Sequence, residues 1–367
     1  MKIKKILVIA TTRFELDGIT NVIMNYYRNM DKSNIHFDFL VSKGISNALL
    51  KEIQDDNKGE VFQLPNRMKK PLKYSKELLK VLQKEKYDVV HAHGNSGTLF
   101  IEMFIAKLCG TPIRIAHSHN STSNYKTLHY FLKPFMKACT THSFACSSRA
   151  GDWLFGKNYL VLNNGIELNN FSFNQEKREL YRNKYNLHGR KVYGHIGHFS
   201  FQKNHDFLIE IFSEIYKRDK NSVLILIGDG KLKKEMENKA DNLGLKDAVI
   251  FTGRTLEAPN ILQAIDIIVF PSHFEGLPLT LVEAQASGLP SLVSKNVSSE
   301  CKLTDLIEFF SLSNPSEIWA EKILSMKSDF SLRKKQSDIA VKQLIDKGYS
   351  IEGNVKVLQG IYFSNNK

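Results

Sequence analysis

The sequence predicts an α/β protein with two doubly wound parallel sheets, one in each half of the chain. Short apolar segments alternate with segments of helical periodicity, and this alternation occurs twice in tandem. The strand segments are apolar at nearly every position, which is typical of strands covered by helices on both faces. The length of 367 residues exceeds one ordinary core and suits two domains. Two Rossmann-like domains are therefore expected.

In the first half, each predicted strand is a short apolar run, and each predicted helix has apolar positions three or four residues apart. The strands lie at 6–10, 37–41, 88–93, 114–119 and 143–147. The helices lie at about 19–30, 73–85, 97–109 and 126–139. A helix thus separates each strand from the next, as a parallel sheet requires.

The second half repeats the pattern after a turn signal at Asn164-Gly165, where we place the domain boundary. Its predicted strands lie at 192–197, 223–228, 248–251, 267–271 and 291–294. Its predicted helices lie near 204–218, 231–243 and 280–287. After Asp329 the pattern is helical, and the last apolar stripe runs from Ile351 to Tyr362.

The net charge of +13 is unevenly distributed along the chain. Positions 1–164 hold 24 of the 51 lysine and arginine residues but only 13 of the 38 aspartate and glutamate residues. Much of the excess lies between Arg67 and Lys86, where eight cationic residues face only Glu77 and Glu85. This excess favours an anionic partner. We expect a basic helix at about 69–86 to bind the anionic inner surface of a membrane.

The sequence predicts a cytoplasmic protein, peripheral on the cytoplasmic face of the membrane. The apolar run 6–10 follows lysines as in a signal peptide, but it is shorter than the roughly 7–15 residues of a true signal. No uncharged apolar run approaches the ~18 residues of a membrane span. The four cysteines show no C-x-x-C spacing, which argues against a disulfide framework or a zinc site.

The strongest candidate site contains two glutamates after the predicted strand 267–271. Glu275 lies in the loop that follows the strand, and Glu283 lies in the next helix. Backbone N–H groups at a helix start bind anions. The residues that supply this helix start are Gly276, Leu277, Pro278, Leu279 and Thr280. The structural alternative is that Glu275 caps the helix and Glu283 is solvated.

Two other segments follow strands of the second half. Gly197 allows close backbone approach, and Lys203 lies where the next helix begins and could share an anion with it. The alternative is a solvated lysine in a turn. Gly228-Asp229-Gly230 is a weak signal, because Lys233 stands where a dinucleotide fingerprint has its third glycine.

In the first half, two segments lie where a substrate crevice is expected. Asp17 and Gly18 open the helix after the first strand, and His117, His119 and Asn120 end the fourth. A lone histidine at a strand end is usually structural. Two histidines at the carboxyl edge of a parallel sheet favour a functional role for them.

Taken together, these segments resemble the retaining nucleotide-sugar glycosyltransferases of family 4 over essentially the whole chain. The Glu275–Glu283 motif is the most specific part, followed by Gly197 with Gln202-Lys203-Asn204-His205. His117-Ser118-His119-Asn120 is similar to the acceptor-domain histidine motif, and Asn164-Gly165-Ile166-Glu167 to the start of the donor domain. The motifs look most like the bacterial capsule and exopolysaccharide branch.

The resemblance implies the GT-B fold, with two Rossmann-like domains facing across a cleft. Residues 1–164 would bind the acceptor, and 165–349 the nucleotide-sugar donor. A C-terminal helix at about 350–367 would cross back to the first domain.

The resemblance also implies roles for individual residues. Lys203 and the backbone of 276–280 would contact the donor diphosphate, Glu275 the hydroxyls of the transferred sugar, and Glu283 the ribose. Arg254 would flank the base. Glu275, His119 and Lys203 would form the catalytic group.

On the first domain, His119, or less favourably His117, would approach the reacting sugar and acceptor. Asn120 and Asp17 lie on the same acceptor side. Gly18 would let a helix N-terminus approach the phosphates. Two positions depart from the family pattern, which has arginine in place of His198 and glycine in place of Asp17. Arginine is always charged, whereas histidine is half neutral at a pH of about 6.5.

The implied reaction is transfer of a sugar from a UDP-linked donor to a hydroxyl of a polysaccharide or lipid-linked oligosaccharide. Lys203 and helix N-termini would stabilise the leaving diphosphate in place of a metal. No second carboxylate is placed as a nucleophile, so we expect same-face attack with retained configuration. The nucleotide sugar is a co-substrate, and no cofactor or metal is expected.

Two alternatives remain open at this point. A nucleotide-sugar 2-epimerase of the same fold would need further acid–base carboxylates that the sequence does not offer. A nucleic-acid-binding protein would fit the basic half. The chain has no basic strand interleaved with aromatic residues, so no nucleic-acid partner is expected.

Overall fold

The computed structural model describes residues 3–15, 18–57, 59–327 and 329–364. The chain forms two compact units. The first comprises Met1–Gly165 together with Ile351–Lys367, and the second comprises Ile166–Ser350. Each unit is built on its own parallel sheet.

The first unit has a seven-stranded parallel sheet in its described residues. Its strands are β1 (Lys4–Ala10), β2 (Ile35–Val41), β3 (Val61–Gln63), β4 (Val89–His93), β5 (Ile113–Ser118), β6 (His142–Ala145) and β7 (Leu160–Val161). The spatial order is β3-β2-β1-β4-β5-β6-β7. The order reverses beside β1, and ligands of doubly wound folds bind at the carboxyl ends of strands near such a reversal.

Helices connect these strands and cover both faces of the sheet. They are α1 (Gly18–Asn29), α2 (Asn47–Asn57), α3 (Pro71–Glu85), α4 (Phe100–Leu108), α5 (Lys126–Cys139) and α6 (Ser148–Leu154). Side chains alternate along β1, so Ile6 and Val8 pack on the face covered by α1. Leu7 and Ile9 pack on the opposite face, against α3, α4 and α5.

The second unit contains a six-stranded parallel sheet in the order β10-β9-β8-β11-β12-β13, as far as its described residues extend. The strands are β8 (Lys191–Ile196), β9 (Ser222–Ile227), β10 (Val249–Gly253), β11 (Ile267–Phe270), β12 (Ser291–Ser294) and β13 (Ile307–Phe310). The helices are α7 (Leu168–Phe171), α8 (Gln175–Lys184), α9 (His205–Arg218), α10 (Lys233–Asn242), α11 (Ala258–Ala264), α12 (Leu279–Ala286), α13 (Ser316–Ser325) and α14 (Phe330–Asp346). Apolar clusters fill both faces of this sheet, with α9, α10 and α13 on one face and α8, α11 and α12 on the other.

The final helix, α15 (Ile351–Tyr362), belongs to the first unit. Its buried residues Ile351, Val355, Leu358 and Tyr362 pack into the cluster that also contains α1. The last helix of the chain therefore completes the core of the first unit. Among the described residues, no helix is both long and apolar enough to span a bilayer.

The prediction of two doubly wound α/β domains is confirmed, with differences at the sheet edges. The sequence pattern did not indicate β3, β7 or β13, which all lie at edges. The two residues of β7, Leu160 and Val161, are apolar but exposed, and a strand of two residues is too short to show a periodic pattern. The basic helix predicted at 69–86 is α3. It begins with Pro71 in the first turn and ends before Lys86, whose φ of 51° is left-handed.

Candidate active site

Four loops meet at the carboxyl edge of the second sheet and are joined by backbone hydrogen bonds. The Phe199 N–H donates to Asp229 at 3.0 Å, and the Gly228 N–H donates to Gly253 at 3.1 Å. The His273 N–H donates to the Gln202 carbonyl at 2.9 Å. The loops after β8, β9, β10 and β11 thus form one surface, where ligands of such sheets bind.

Lys203 and Glu275 form an ion pair on this surface. Lys203 ends a short 3₁₀ turn before α9, and its Nζ lies 2.7 Å from Glu275 Oε1. Their side chains are only 14% and 10% exposed. The Lys203 ammonium also lies 4.7 Å from the centroid of the Phe270 ring. A cation and a carboxylate, 72 positions apart in sequence, are therefore held together in a poorly hydrated place.

The helix start beside Glu275 is open. The N-cap of α12 is Pro278, and no side chain caps the helix. Glu275 is therefore not the cap, and its carbonyl instead accepts the Ser298 N–H at 3.1 Å. Thr280 Oγ1 is buried and has no hydrogen-bond partner among the described residues. Residues 276–280 thus offer the uncapped donors that favour an anion.

Two glycines at predicted site positions are not required by packing. A Cβ atom at Gly276 or at Gly18 would meet no atom within 4 Å, and neither residue has a left-handed φ. Gly18 is the first residue of α1. Both positions leave room for a ligand to approach the backbone. Asp17, the neighbouring acceptor-side candidate, lies outside the described residues.

Gly228-Asp229-Gly230 has a different explanation. Gly228 and Gly230 have φ values of 144° and 157°. A Cβ at Gly228 would lie 2.1 Å from the Gly197 carbonyl oxygen, and one at Gly230 would lie 2.5 Å from that of Phe199. These glycines let two protein loops pack together, which is the structural reading of the motif.

His198 and Arg254 are both exposed on loops of this edge. His198 follows β8, and its Cε1 would lie 2.9 Å from a Cβ at Gly230. Arg254 directly follows β10. Both residues therefore lie on the edge that carries Lys203.

In the first unit, four histidines form a ladder at the ends of β4 and β5. A ring nitrogen of His91 lies 3.2 Å from one of His117, and one of His93 lies 2.8 Å from one of His119. His91 also hydrogen-bonds the Tyr362 hydroxyl on α15 at 2.8 Å. Sequence reasoning singled out His117 and His119 but missed His91 and His93. The repeated His-x-His spacing at two adjacent strand ends was the available signal.

Burial makes these histidines neutral. It lowers the pKa of His119 to about 4, and it holds the pKa values of His91, His93 and His117 well below the ordinary range. His119 is partly accessible at the strand end, followed by exposed Asn120. His119 can therefore donate or accept a hydrogen bond but does not supply positive charge.

His91, His93 and His117 each offer a ring nitrogen within 4.8 Å of the others, a spacing that could hold a metal ion. The His91 and His117 rings are nearly parallel, at 6°, and their nitrogens point at each other. Metal ligands must instead direct their lone pairs at a common point. The arrangement is that of an N–H···N hydrogen-bonded ladder.

Known proteins are similar to this chain in both sequence and fold. Residues 177–343, all in the second unit, match the family model "Glycosyl transferases group 1". The glycosyltransferase EpsF of Bacillus subtilis (strain 168) is 32% identical over 94% of this chain and 93% of its own length. The chain belongs to the group 1 glycosyltransferases.

Two further relatives of this glycosyltransferase carry more specific names. An Escherichia coli UDP-Gal:alpha-D-GlcNAc-diphosphoundecaprenol alpha-1,3-galactosyltransferase is 30% identical over 66% of each chain. The capsular polysaccharide biosynthesis glycosyltransferase CapH of Staphylococcus aureus is 25% identical over 70% of this chain and 74% of its own. One relative is thus named for its undecaprenyl-diphosphate-linked acceptor and the other for capsular polysaccharide biosynthesis.

The structure of Anabaena HepE in complex with UDP and glucose shares the fold. Its TM-score is 0.75 at 16% sequence identity, over 98% of this chain and 100% of that one. The two Rossmann-like units of this glycosyltransferase are those of the GT-B fold.

Glu283 of the glycosyltransferase titrates near neutral pH. Burial raises the pKa of Glu283 to about 7, and the charge of Lys203 acts in the opposite direction. Because the folded-state pKa exceeds the unfolded one, this carboxyl favours folding most at low pH. That contribution is lost as pH rises through about 7.

We expect Glu283→Gln to remove this pH dependence. The difference in unfolding free energy between the variant and wild type should be about 1–2 kcal/mol more favourable to the variant at alkaline pH than at acidic pH. Because Glu283 is partly exposed, this difference is smaller than the full pKa shift would give. Thermal unfolding at pH 5 and pH 8 measures it. A difference between the two proteins that does not change with pH would contradict the assignment.

Proposed function

We propose that this glycosyltransferase transfers a sugar from a UDP-linked donor to a hydroxyl of a lipid-linked oligosaccharide or polysaccharide, with retention of anomeric configuration. It would act in capsule or exopolysaccharide synthesis on the cytoplasmic face of a membrane, as a member of family 4. The names of the Escherichia coli and Staphylococcus aureus relatives support this acceptor class and role. The Anabaena complexes with UDP and UDP-glucose support the donor.

The observation that carries the proposal is the Lys203–Glu275 pair beside the open start of α12. Cleavage of a sugar–diphosphate bond develops positive charge on the ring and negative charge on the leaving group. A carboxylate beside the sugar stabilises the first charge, and a lysine with helix N–H groups stabilises the second. The site thus offers a carboxylate for the sugar and a cation for the leaving group, with Lys203 Nζ 2.7 Å from Glu275 Oε1.

In this proposal, Lys203, His198 and the backbone of 276–280 bind the diphosphate. Glu275 binds the transferred sugar, Glu283 the ribose and Arg254 the base. Because Lys203 and helix N-termini neutralise the diphosphate, transfer needs neither a metal nor a cofactor. The proposal keeps His119 in the catalytic group and gives His117, Asn120 and Asp17 to the acceptor side of the first unit. Gly18 lets the start of α1 approach the donor phosphates.

The charges at the donor site support a same-face route to the proposed retention over one through a covalent intermediate. Glu275 is paired with Lys203, and Glu283 is about half protonated near neutral pH. Neither is a free nucleophile. We therefore favour attack on the face that the diphosphate leaves, with a departing phosphate oxygen taking the proton of the acceptor hydroxyl.

Product analysis tests the proposal. The full-length protein is incubated with a panel of UDP-sugars and an undecaprenyl-diphosphate-linked sugar, with and without a chelator. We expect one donor to give UDP and a glycoside that keeps the donor's anomeric configuration, at the same rate in chelator. An epimerised donor formed without acceptor, an inverted product or full inhibition by chelator would each contradict it.

The proposed role of His198 predicts a pH-dependent donor affinity. Only a protonated imidazole adds positive charge for the diphosphate, so affinity should weaken as pH rises from about 5.5 to 8.5. His198→Arg should flatten this dependence and keep or improve affinity, because arginine stays charged. Calorimetric titration of UDP in buffers of different ionisation enthalpy reports the proton uptake. Equal affinity across this range, without uptake, would exclude His198 as a phosphate ligand.

A further inference from the structure

Helices α3, α4 and α5 form one layer on a single face of the first sheet. Their buried sides share an apolar cluster that includes Leu78 of α3, Met103 of α4 and Met136 of α5. α4 packs against α3 on one side and against α5 on the other. The outer sides of the three helices therefore form a continuous surface.

The outer sides of α4 and α5 are apolar and aromatic. The α4–α5 surface consists of the exposed residues Phe104, Leu108, Leu128, Phe131 and Phe135. Phe131 and Leu108 are 66% and 64% exposed. The Phe100 ring lies 5.2 Å from that of Phe104 and 6.0 Å from that of Phe135, so the side chains are contiguous across both helices. Exposed apolar patches of this kind mark interaction sites.

The segment of the chain that carries this surface is positively charged. Between positions 89 and 151 the chain has one carboxylate, Glu102, and it is fully buried. Glu102 accepts a hydrogen bond from Tyr74 and pairs with Arg67, so it does not offset surface charge. The cationic residues of the same stretch are Lys107, Arg114, Lys126, Lys133, Lys137 and Arg149.

The neighbouring helix α3 extends this positive charge. Lys73, Lys76 and Lys80 are all exposed on it. Leu72, in its first turn, is 87% exposed. An aromatic surface is thus bordered by lysines on α3 and by those of α4 and α5.

We propose that the α4–α5 surface docks onto an anionic lipid bilayer, with its aromatic side chains in the headgroup region and the α3 lysines against acidic headgroups. Exposed phenylalanine and leucine side chains insert at the boundary between headgroups and acyl chains, and lysines near it add electrostatic attraction. A second copy of this chain is a poor occupant, because an isologous contact would bring two sets of lysines together. This proposal concerns the first unit alone and does not depend on the proposed sugar transfer.

Vesicle sedimentation of the full-length protein tests the docking. Wild type should bind phosphatidylcholine vesicles that contain phosphatidylglycerol and should bind pure phosphatidylcholine much less. Leu108→Ser combined with Phe131→Ser should weaken binding at least about tenfold, because each exposed side chain contributes buried area only in the bound state. The matched control is Leu180→Ser with Leu256→Ser, which changes exposed apolar residues of the second unit and should bind as wild type.

A second variant separates charge from apolar insertion. Lys73→Glu, Lys76→Glu and Lys80→Glu together should weaken binding on the order of a hundredfold at low salt, and less at high salt. Wild-type binding by the Leu108/Phe131 variant would overturn the proposal. So would equal wild-type binding to neutral and anionic vesicles. If wild type is a dimer, the Leu108/Phe131 variant is a monomer and vesicle binding is unchanged, the surface would be assigned to self-association instead.

Discussion

Glu275→Gln is expected to lower kcat by about 10²–10³-fold while changing the donor KM little. Glutamine keeps the size of the side chain and places a neutral amide beside Lys203. It removes the negative charge that would face the sugar ring as positive charge develops. A charge that acts mainly in the transition state affects kcat more than ground-state binding. Initial rates of UDP release at varied donor concentration separate the two constants.

The matched control is Glu308→Gln in the same unit. Glu308 also pairs with a lysine, Lys322, but on the exposed surface. Surface ion pairs contribute little to stability, so this variant should retain wild-type kcat and KM. A near-normal kcat in Glu275→Gln, with the control also unchanged, would remove Glu275 from the catalytic group.

Central strands were predictable because they are apolar on both faces. Strand β9 packs Val223 and Ile225 on one face and Leu224 and Leu226 on the other, so the run is apolar throughout. The edge strands β3, β7 and β13 pair on one side only. An edge strand does not need an apolar residue at every position, so sequence periodicity alone does not reveal these three strands.

The candidate donor site was predictable in composition but not in geometry. Lys203 and Glu275 were singled out because both follow strands, and parallel strands place their carboxyl ends at one edge. Nothing in the spacing of these two residues indicates that the side chains meet. The ion pair follows from the adjacency of β8 and β11, which only the strand order reveals.

The α4–α5 surface shows a further limit of sequence periodicity. α5 has apolar residues on both of its sides, Met136 and Cys139 inward and Phe131 and Phe135 outward. A helical pattern indicates amphipathicity only when one side is polar. The sequence therefore predicted a membrane contact only through the lysines of α3 and did not indicate the aromatic surface beside it.

Lys203→Met is expected to lower kcat by about 10²–10³-fold and to weaken UDP binding as well. The lysine is the cation we assign to the diphosphate, and negative charge grows on that group as the sugar departs. The same change leaves the Glu275 carboxylate buried without its partner, so the free energy of unfolding should fall by about 1–3 kcal/mol. Kinetics with varied donor and thermal unfolding measure the two effects.

The double variant Lys203→Met/Glu275→Gln tests whether the pair acts as a unit. If both residues serve one transition state, the double variant should be little slower than the slower single variant. Removing the unpaired charge should also recover most of the stability lost in Lys203→Met. Lys239→Met, which breaks ion pairs with Asp206 and Glu210 between α9 and α10, is the matched control and should leave kcat unchanged. Fully additive losses in rate would mean that Lys203 and Glu275 act independently, and the ion pair would then be a structural contact of the empty site.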